Sequence, residues 1–458
     1  MNLIDILDKI DKFIWGPPLL VLLVGTGILF SLKLGFLQLS KLPRALKLIF
    51  KAENSGNGDI SSFGALCTAL AATVGTGNIV GVATALKAGG PGALFWMWVA
   101  AFFGMATKYA EGVLAIKYRV KDKNGQISGG PMYYILNGMG EKFRPLAIFF
   151  AVSGILVALL GIGTFTQVNS ITDSINASFG INPKITGVVL ALLVALVVFG
   201  GLKSISNVAT KVVPAMSIIY IGVCLLIVVA YFKEIPTTFV LIVKSAFTPT
   251  AAMGGFLGST VSMAIRNGIA RGVFSNESGL GSAPIAAAAA KTQWPAEQGL
   301  ISMTGTFIDS LIICTLTGFS LVLSGVWQSD LNGALMTQAA FKSVLPGVGP
   351  LFLTLSLSLF AFTTILGWSY YGERCFEFLF GVKGLNGYRA LFVAMVLLGA
   401  FLKLEMVWII ADIVNGLMAI PNLIALIALS SVVASETKLY MDYLDSKESK
   451  KDLTSNII

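Results

Sequence analysis

Apolar stretches long enough to cross a bilayer recur along the whole chain, and that recurrence restricts the fold more than any other feature. Runs such as Val188–Phe199 and Ile218–Val229 are continuously apolar. In helical form about 20 such residues span the hydrocarbon core. Inside lipid every backbone N–H and C=O needs an internal partner, so only helices or a closed barrel can cross. Barrel strands alternate apolar and polar residues, and these runs do not. The chain is therefore expected to be an all-α polytopic membrane protein, multi-pass in the cell membrane. Only 12% of its residues are charged, against about 25% in soluble domains.

Length and hydropathy place about eleven transmembrane helices near 14–32, 61–87, 92–119, 145–175, 185–201, 209–231, 254–288, 297–325, 350–380, 387–402 and 406–433. Most of the 32 Lys and Arg residues fall in alternate gaps between these runs and in the C-terminal tail. The basic side faces the cytoplasm, which puts the N-terminus outside and the C-terminus inside. The net charge of +9 is thus a signal of topology and does not mark a nucleic-acid partner. Asp5, Asp8 and Asp11 precede the first run, with no small-residue cleavage site, so that run is expected to be retained as a span.

Histidine is absent, which removes histidine triads, H-E-x-x-H metal sites and imidazole proton relays. The cysteines Cys67, Cys224, Cys314 and Cys375 stand singly, as buried free thiols do. No Ser-Lys or paired-Asp motif stands out, so no enzyme is expected. Nor is a nucleotide site, an organic cofactor or an obligatory protein partner.

Two spans break the apolar pattern. The second contains Ala-Ala-Thr-Val-Gly-Thr-Gly-Asn at 71–78, and the seventh contains Phe-Ser-Asn-Glu-Ser-Gly-Leu-Gly-Ser-Ala-Pro at 274–284. Gly costs a helix about 1 kcal/mol and Pro about 3, so both spans are expected to open in mid-membrane. Freed backbone groups are tolerable there only where they line a cavity or bind something. The two breaks lie five helices apart, an odd number, so the sets they begin run in opposite directions. Interrupted helices at matching positions of inverted halves mark the binding site of a transporter. The expected division is an extra helix and basic loop over 1–60, a first five-helix repeat over 61–235, a second over 250–435, and a tail over 436–458.

Gly-Gly-Pro-Gly-Ala-Leu-Phe-Trp-Met-Trp at 89–98, followed by Gly104, resembles the signature of the alanine or glycine:cation symporter family. The Gly-Thr-Gly-Asn and Ser-Asn-Glu-Ser-Gly strings are of that family's type, and the resemblance runs through nearly the whole chain. It implies a LeuT-type 5+5 inverted repeat, Na⁺ as coupling ion, and small neutral amino acids, alanine or glycine, as cargo.

A buried amino acid needs partners for both its carboxylate and its ammonium group. At an opened helix, amides of one half suit the carboxylate and free carbonyls of the other suit a cation. Thr73, the amides near Gly75, Thr76 and Gly77, and Asn78 are the candidates in the second span. Close packing is the bland alternative for its glycines. In the seventh span the carbonyls of Phe274, Ser275 and Glu277 suit the ammonium, Phe274 an apolar wall and Asn276 a side-chain contact. Glu277 is ionisable at membrane depth, and is equally suited to a structural role. Likeness to LeuT-type sodium sites implies one Na⁺ between the carbonyls of Ala71 and Val74 and the hydroxyls of Thr363 and Thr364. Those threonines can instead bond their own helix. Trp368, one turn beyond Thr364, either limits the cavity to a methyl-sized side chain or anchors the interface. Gln167 stands where LeuT-type relatives place a hydroxyl-bearing ring. Met303, Thr306 and Asp309 are further lining candidates, and Arg266 and Arg271 with Asp412 are candidates for a gate. The expected function is alternating-access symport. Proton coupling or exchange through Glu277 is the alternative, and an ion channel a distant one.

Overall fold

The computed structural model describes residues 3–52, 55–249, 259–401 and 404–455, and these are almost wholly helical. The expected starts of the second repeat at 250 and of the seventh span at 254 lie outside the described residues, as does the end of the tenth at 402. In chain order the helices are α1 (Leu3–Ile14), α2 (Pro17–Lys33), α3 (Leu42–Lys51), α4 (Ser62–Thr73), α5 (Val82–Gly89), α6 (Gly92–Lys117), α7 (Arg144–Leu160), α8 (Phe165–Phe179), α9 (Pro183–Val198) and α10 (Gly201–Ala230). There follow α11 (Ile235–Ser245), α12 (Val261–Asn276), α13 (Ala283–Ala287), α14 (Pro295–Thr306), α15 (Thr315–Leu323), α16 (Gly333–Val344), α17 (Gly349–Phe380), α18 (Leu385–Gly399), α19 (Leu404–Ala428) and α20 (Ser430–Ser455).

Among the described residues eight helices are long and apolar enough to cross a membrane. A ninth crossing is the pair α4 and Gly77–Gly89, bent by 52° at the glycine-rich break, while α9 is apolar but shorter. Leu196, Ile218 and Val229 are 77%, 69% and 64% exposed. Such an apolar exterior is stable against lipid and not against water.

The stretch expected as one helix over 145–175 is two. α7 stops at Leu160, the Thr164 hydroxyl donates to the carbonyl of Leu159 at 2.7 Å, and α8 starts at Phe165. Close approach sets this break: a β-carbon on Gly163 would lie 2.8 Å from Cβ of Trp368. Glycine here lets α17 press into the turn.

α6 runs through the middle and packs against α12 and α14. Small residues permit the contact, since a β-carbon on Gly112 would meet Cα of Gly299 at 3.0 Å. At the end of α6 a two-stranded hairpin, Val120–Lys121 with Ile127–Ser128, closes through Asp122, which accepts from the amides of Asn124 and Gln126. The hairpin is tied to α17. Arg374, 1% exposed, pairs with Asp122 at 3.4 Å, Glu373 at 2.8 Å and Glu377 at 2.5 Å, and Arg389 reaches Glu373 at 2.6 Å. Beside it Arg119 donates to the carbonyls of Ala288, Ala290 and Thr292. Burial lowers the pKa of its guanidinium, and Asp59 opposes the shift.

Candidate functional site

α4 ends at Thr73, whose hydroxyl turns back to the carbonyls of Ala69 and Leu70. Val74 leaves the helix with φ −77 and ψ 92, and a wide π-helical turn over Gly77–Gly81 leads into α5. Two amides freed by the break are met by side chains. Gly75 N donates to Oδ1 of Asn78 at 2.9 Å, and Thr76 N to Oε1 of Gln167 at 3.3 Å. Thr76 Oγ1 and Gln167 Nε2 are buried and have no hydrogen-bond partner among the described residues. Such atoms in a dry interior are costly unless a ligand completes them. Close approach requires both glycines. A β-carbon on Gly75 would collide with the Thr364 hydroxyl, and one on Gly77 would lie 3.0 Å from Cα of Ser275. The two broken spans therefore meet backbone to backbone.

α12 ends at Asn276, and Glu277 follows at φ +57, a left-handed conformation unusual for a residue with a β-carbon. Trp368 Nε1 donates to Glu277 Oε1 at 2.9 Å and the Ser282 hydroxyl to Oε2 at 2.5 Å. The strand of chain back to α13 is held by Glu111, whose Oε1 accepts from the amides of Gly279 and Gly281 at 3.1 Å each and from Asn422 at 2.7 Å. Tyr134 donates to the other end of the Asn422 amide. The terminal carbonyl of α12, on Asn276, accepts from Lys108 Nζ at 2.8 Å. The Asn276 side chain is engaged too, with Ser310 at 2.9 Å and the amide of Ser278 at 2.9 Å.

Between the breaks lies Asp309, fully buried on the wide turn Phe307–Cys314. Asn78 Nδ2 donates to its Oδ1 at 2.7 Å, and the hydroxyls of Ser275 and Ser310 to its Oδ2 at 2.9 and 2.8 Å. Thr306 joins Ser278 nearby at 2.9 Å, and Met303 is buried in the core.

On the opposite flank Thr364 Oγ1 lies 3.5 Å from the carbonyl of Val74 and 3.0 Å from that of Phe360. Thr363 bonds the same Phe360 carbonyl at 2.9 Å and faces Met216. Both threonines thus bond their own helix, and Thr364 also reaches the break. Ala71 is buried in the last turn of α4. Trp368 is wholly buried, so it is no interface anchor.

A cavity of about 580 Å³ is lined by Val80, Thr84, Ser170, Asp173, Arg271 and Trp408 among others. Of these Trp408 stacks on Phe274 with centroids 5.6 Å apart, and the Arg271 guanidinium lies over both rings. Arg271 is held by Asp412 in a two-point pair at 3.0 and 2.8 Å. Arg266 pairs instead with Asp11 at 3.9 Å.

The structure thus gathers Thr73, Gly75, Thr76, Gly77, Asn78, Gln167, Phe274, Ser275 and Asn276 around the two breaks. Glu277 sits beside them with its carboxylate turned to Trp368 and Ser282. Lys108 and Glu111 were not foreseen. Their signal is two opposite charges three residues apart within an apolar span, which on one helix face is a pair in need of partners.

Compared with known proteins, the chain matches the profile of the sodium:alanine symporter family over residues 1–455. It is 56% identical over 446 residues to an uncharacterized transporter of Haemophilus influenzae, covering 97% of each chain. It is 51% identical to the sodium/alanine symporter AgcS of Methanococcus maripaludis, covering 96% of this chain and 98% of that one. The probable sodium/glutamine symporter GlnT of Bacillus subtilis is 39% identical, with 96% and 91% covered. Among solved structures MhsT in complex with L-phenylalanine superposes with a TM-score of 0.61 at 12% identity, covering 83% of this chain and 93% of that one. The likeness to MhsT shows the LeuT-type fold.

Proposed function

This chain belongs to the sodium:alanine symporter family, and from that premise we propose that it imports alanine, with glycine as a competing substrate, by coupling to Na⁺. It is a multi-pass membrane protein and a secondary active amino-acid symporter. One observation carries the site assignment: Gly77 and Ser275 meet at the facing breaks, beside Thr76 Oγ1 and Gln167 Nε2, which have no hydrogen-bond partner among the described residues.

In this proposal the substrate carboxylate takes the amides of Gly75, Thr76 and Gly77, displacing the side-chain oxygens that cover the first two. Gln167 then donates through its free Nε2. The ammonium lies on carbonyls at the end of α12, around Phe274, Ser275 and Glu277. Thr73, Asn78 and Asn276 form the polar wall, Phe274 the lid and Trp368 the back of a compartment sized for a methyl side chain. One Na⁺ sits with Ala71, Val74, Thr363 and Thr364, and Asp309 with Asn78 and Ser275 offers a second cation seat. Na⁺ is an oxygen-seeking ion, and a buried carboxylate among hydroxyls and amides suits it.

Phe274, Trp408 and the Arg271–Asp412 pair stand between cavity and site, as a gate would. The hairpin bound to Arg374 closes the other end. The repeats 61–235 and 250–435 rock against each other, with the N-terminus outside and the C-terminus inside. Ion and substrate favour the same closed state, so each raises the other's affinity. Proton coupling through Glu277, whose carboxyl is engaged by Trp368 and Ser282, is the rival reading that the assay below separates.

Radiolabelled alanine uptake into proteoliposomes tests this. An inward Na⁺ gradient drives accumulation that unlabelled glycine blocks. Uptake that follows a pH gradient and ignores Na⁺ replacement by K⁺ would remove the sodium assignment.

A further inference from the structure

Asp309, Glu277 and Glu111 are all fully buried around the two breaks. One lysine, Lys108, stands on α6 a turn before Glu111. Lys108 is itself only 2% exposed, and its ammonium rests on the Asn276 carbonyl at 2.8 Å. From the side chain of the same residue a short polar chain leads to Asp309. The Asn276 side chain donates to Ser310 at 2.9 Å, and Ser310 donates to Asp309 at 2.8 Å.

Lys108 also lines a water-sized cavity of about 10 Å³ with Thr73, Ala287, Gln298, Ser302 and Gly305. Gln298 Oε1 is buried without a partner among the described residues. This cavity borders α4, before the break, whereas the large cavity borders Val80 and Thr84, after it. Lys108 therefore lies on the side of the break away from the open cavity.

A symporter must return empty, and an ion that has left exposes the carboxylate that held it. A buried charge without a counterion is strongly unfavourable, so an uncovered Asp309 raises the barrier to the return. A lysine on a flexible four-carbon stem can cover it. We propose that Lys108 is a positioning residue that serves as a tethered cation: when the coupling ion leaves Asp309, the ammonium swings from the Asn276 carbonyl to that carboxylate and lets the empty carrier reorient. Incoming Na⁺ sends the ammonium back to the Asn276 carbonyl, the position it holds in this structure. This inference rests on the Na⁺-symport reading.

The test compares two modes in proteoliposomes holding the full chain. Net alanine uptake on a Na⁺ gradient requires the empty return in every cycle. Alanine exchange with equal Na⁺ on both sides does not. Lys108→Gln keeps a hydrogen-bond donor for Asn276 and removes the charge. It is expected to lose about tenfold or more in net uptake while exchange stays within about threefold of the wild type. Lys108→Arg keeps the charge and retains both modes within about threefold. Equal losses in the two modes for Lys108→Gln, or undiminished net uptake, overturn the proposal. Should Lys108→Gln not fold, Lys108→Met is read by the same ratio of modes. Failure of the symport reading shows differently, as a wild-type protein that does not accumulate alanine on a Na⁺ gradient.

Discussion

Thr364 occupies the space that a β-carbon on Gly75 would need, so the threonine hydroxyl and the opened backbone are positioned by each other. Substituting Thr364→Val keeps the shape and removes the oxygen. In the proposed sodium site this takes away one ligand, so the Na⁺ concentration for half-maximal alanine uptake is expected to rise about tenfold, since a hydrogen-bond-sized contact is worth about 1–2 kcal/mol. Uptake measured against Na⁺ concentration checks this; an unchanged midpoint places the ion elsewhere. The glycines and small polar residues of 71–78 and 274–284 were legible because they contradict a helix locally. The Arg271–Asp412 partnership was suspected, and the structure closes it at 2.8 Å. Lys108, Glu111 and Asp309 were harder, because their meaning comes from residues on other helices. Glu111 is followed 168 and 170 positions later by the amides it accepts from, a relation that no local pattern carries.

The breaks are the informative elements, and the sequence discloses them unevenly. The second and seventh spans announce theirs with several glycines and a proline. At Gly161–Thr164 the signal is weaker, two glycines inside a strongly apolar run, and the cause lies outside the segment, in α17 pressing against Gly163. The hairpin after α6 is another case. Its turn chemistry around Asp122 is local, but its anchoring to Arg374 is tertiary. That cluster sets a prediction at the scale of elements. Arg374→Met leaves Glu373, Glu377 and Asp122 buried together without their shared cation. Breaking a buried pair costs about 3–5 kcal/mol, so the variant should melt at a clearly lower temperature in detergent. An unshifted Tm would mean that the Arg374 cluster does not hold the hairpin in place.

For the molecule as a whole, hydropathy settled the class because a lipid-facing exterior such as Leu196 and Ile218 has no other tolerable solvent. Orientation rests on the distribution of Lys and Arg, and it is open to direct measurement because the four native cysteines are all buried. Lys123→Cys, at the tip of the hairpin, should react with an impermeant maleimide in inverted vesicles and not in intact cells. The reverse pattern would invert the topology and with it the roles of the two ends.

Coupling is a property of the whole carrier, since ion and substrate must favour the same closed state. It is tested most directly by equilibrium alanine binding to the purified protein as Na⁺ replaces K⁺ at constant ionic strength. The alanine Kd should fall by about tenfold or more as Na⁺ rises, and Gln167→Ala should raise it about tenfold or more at saturating Na⁺ through loss of a charge-assisted hydrogen bond. An alanine Kd equal in Na⁺ and K⁺, and indifferent to Gln167, would contradict both the sodium coupling and the placement of the substrate at the facing breaks.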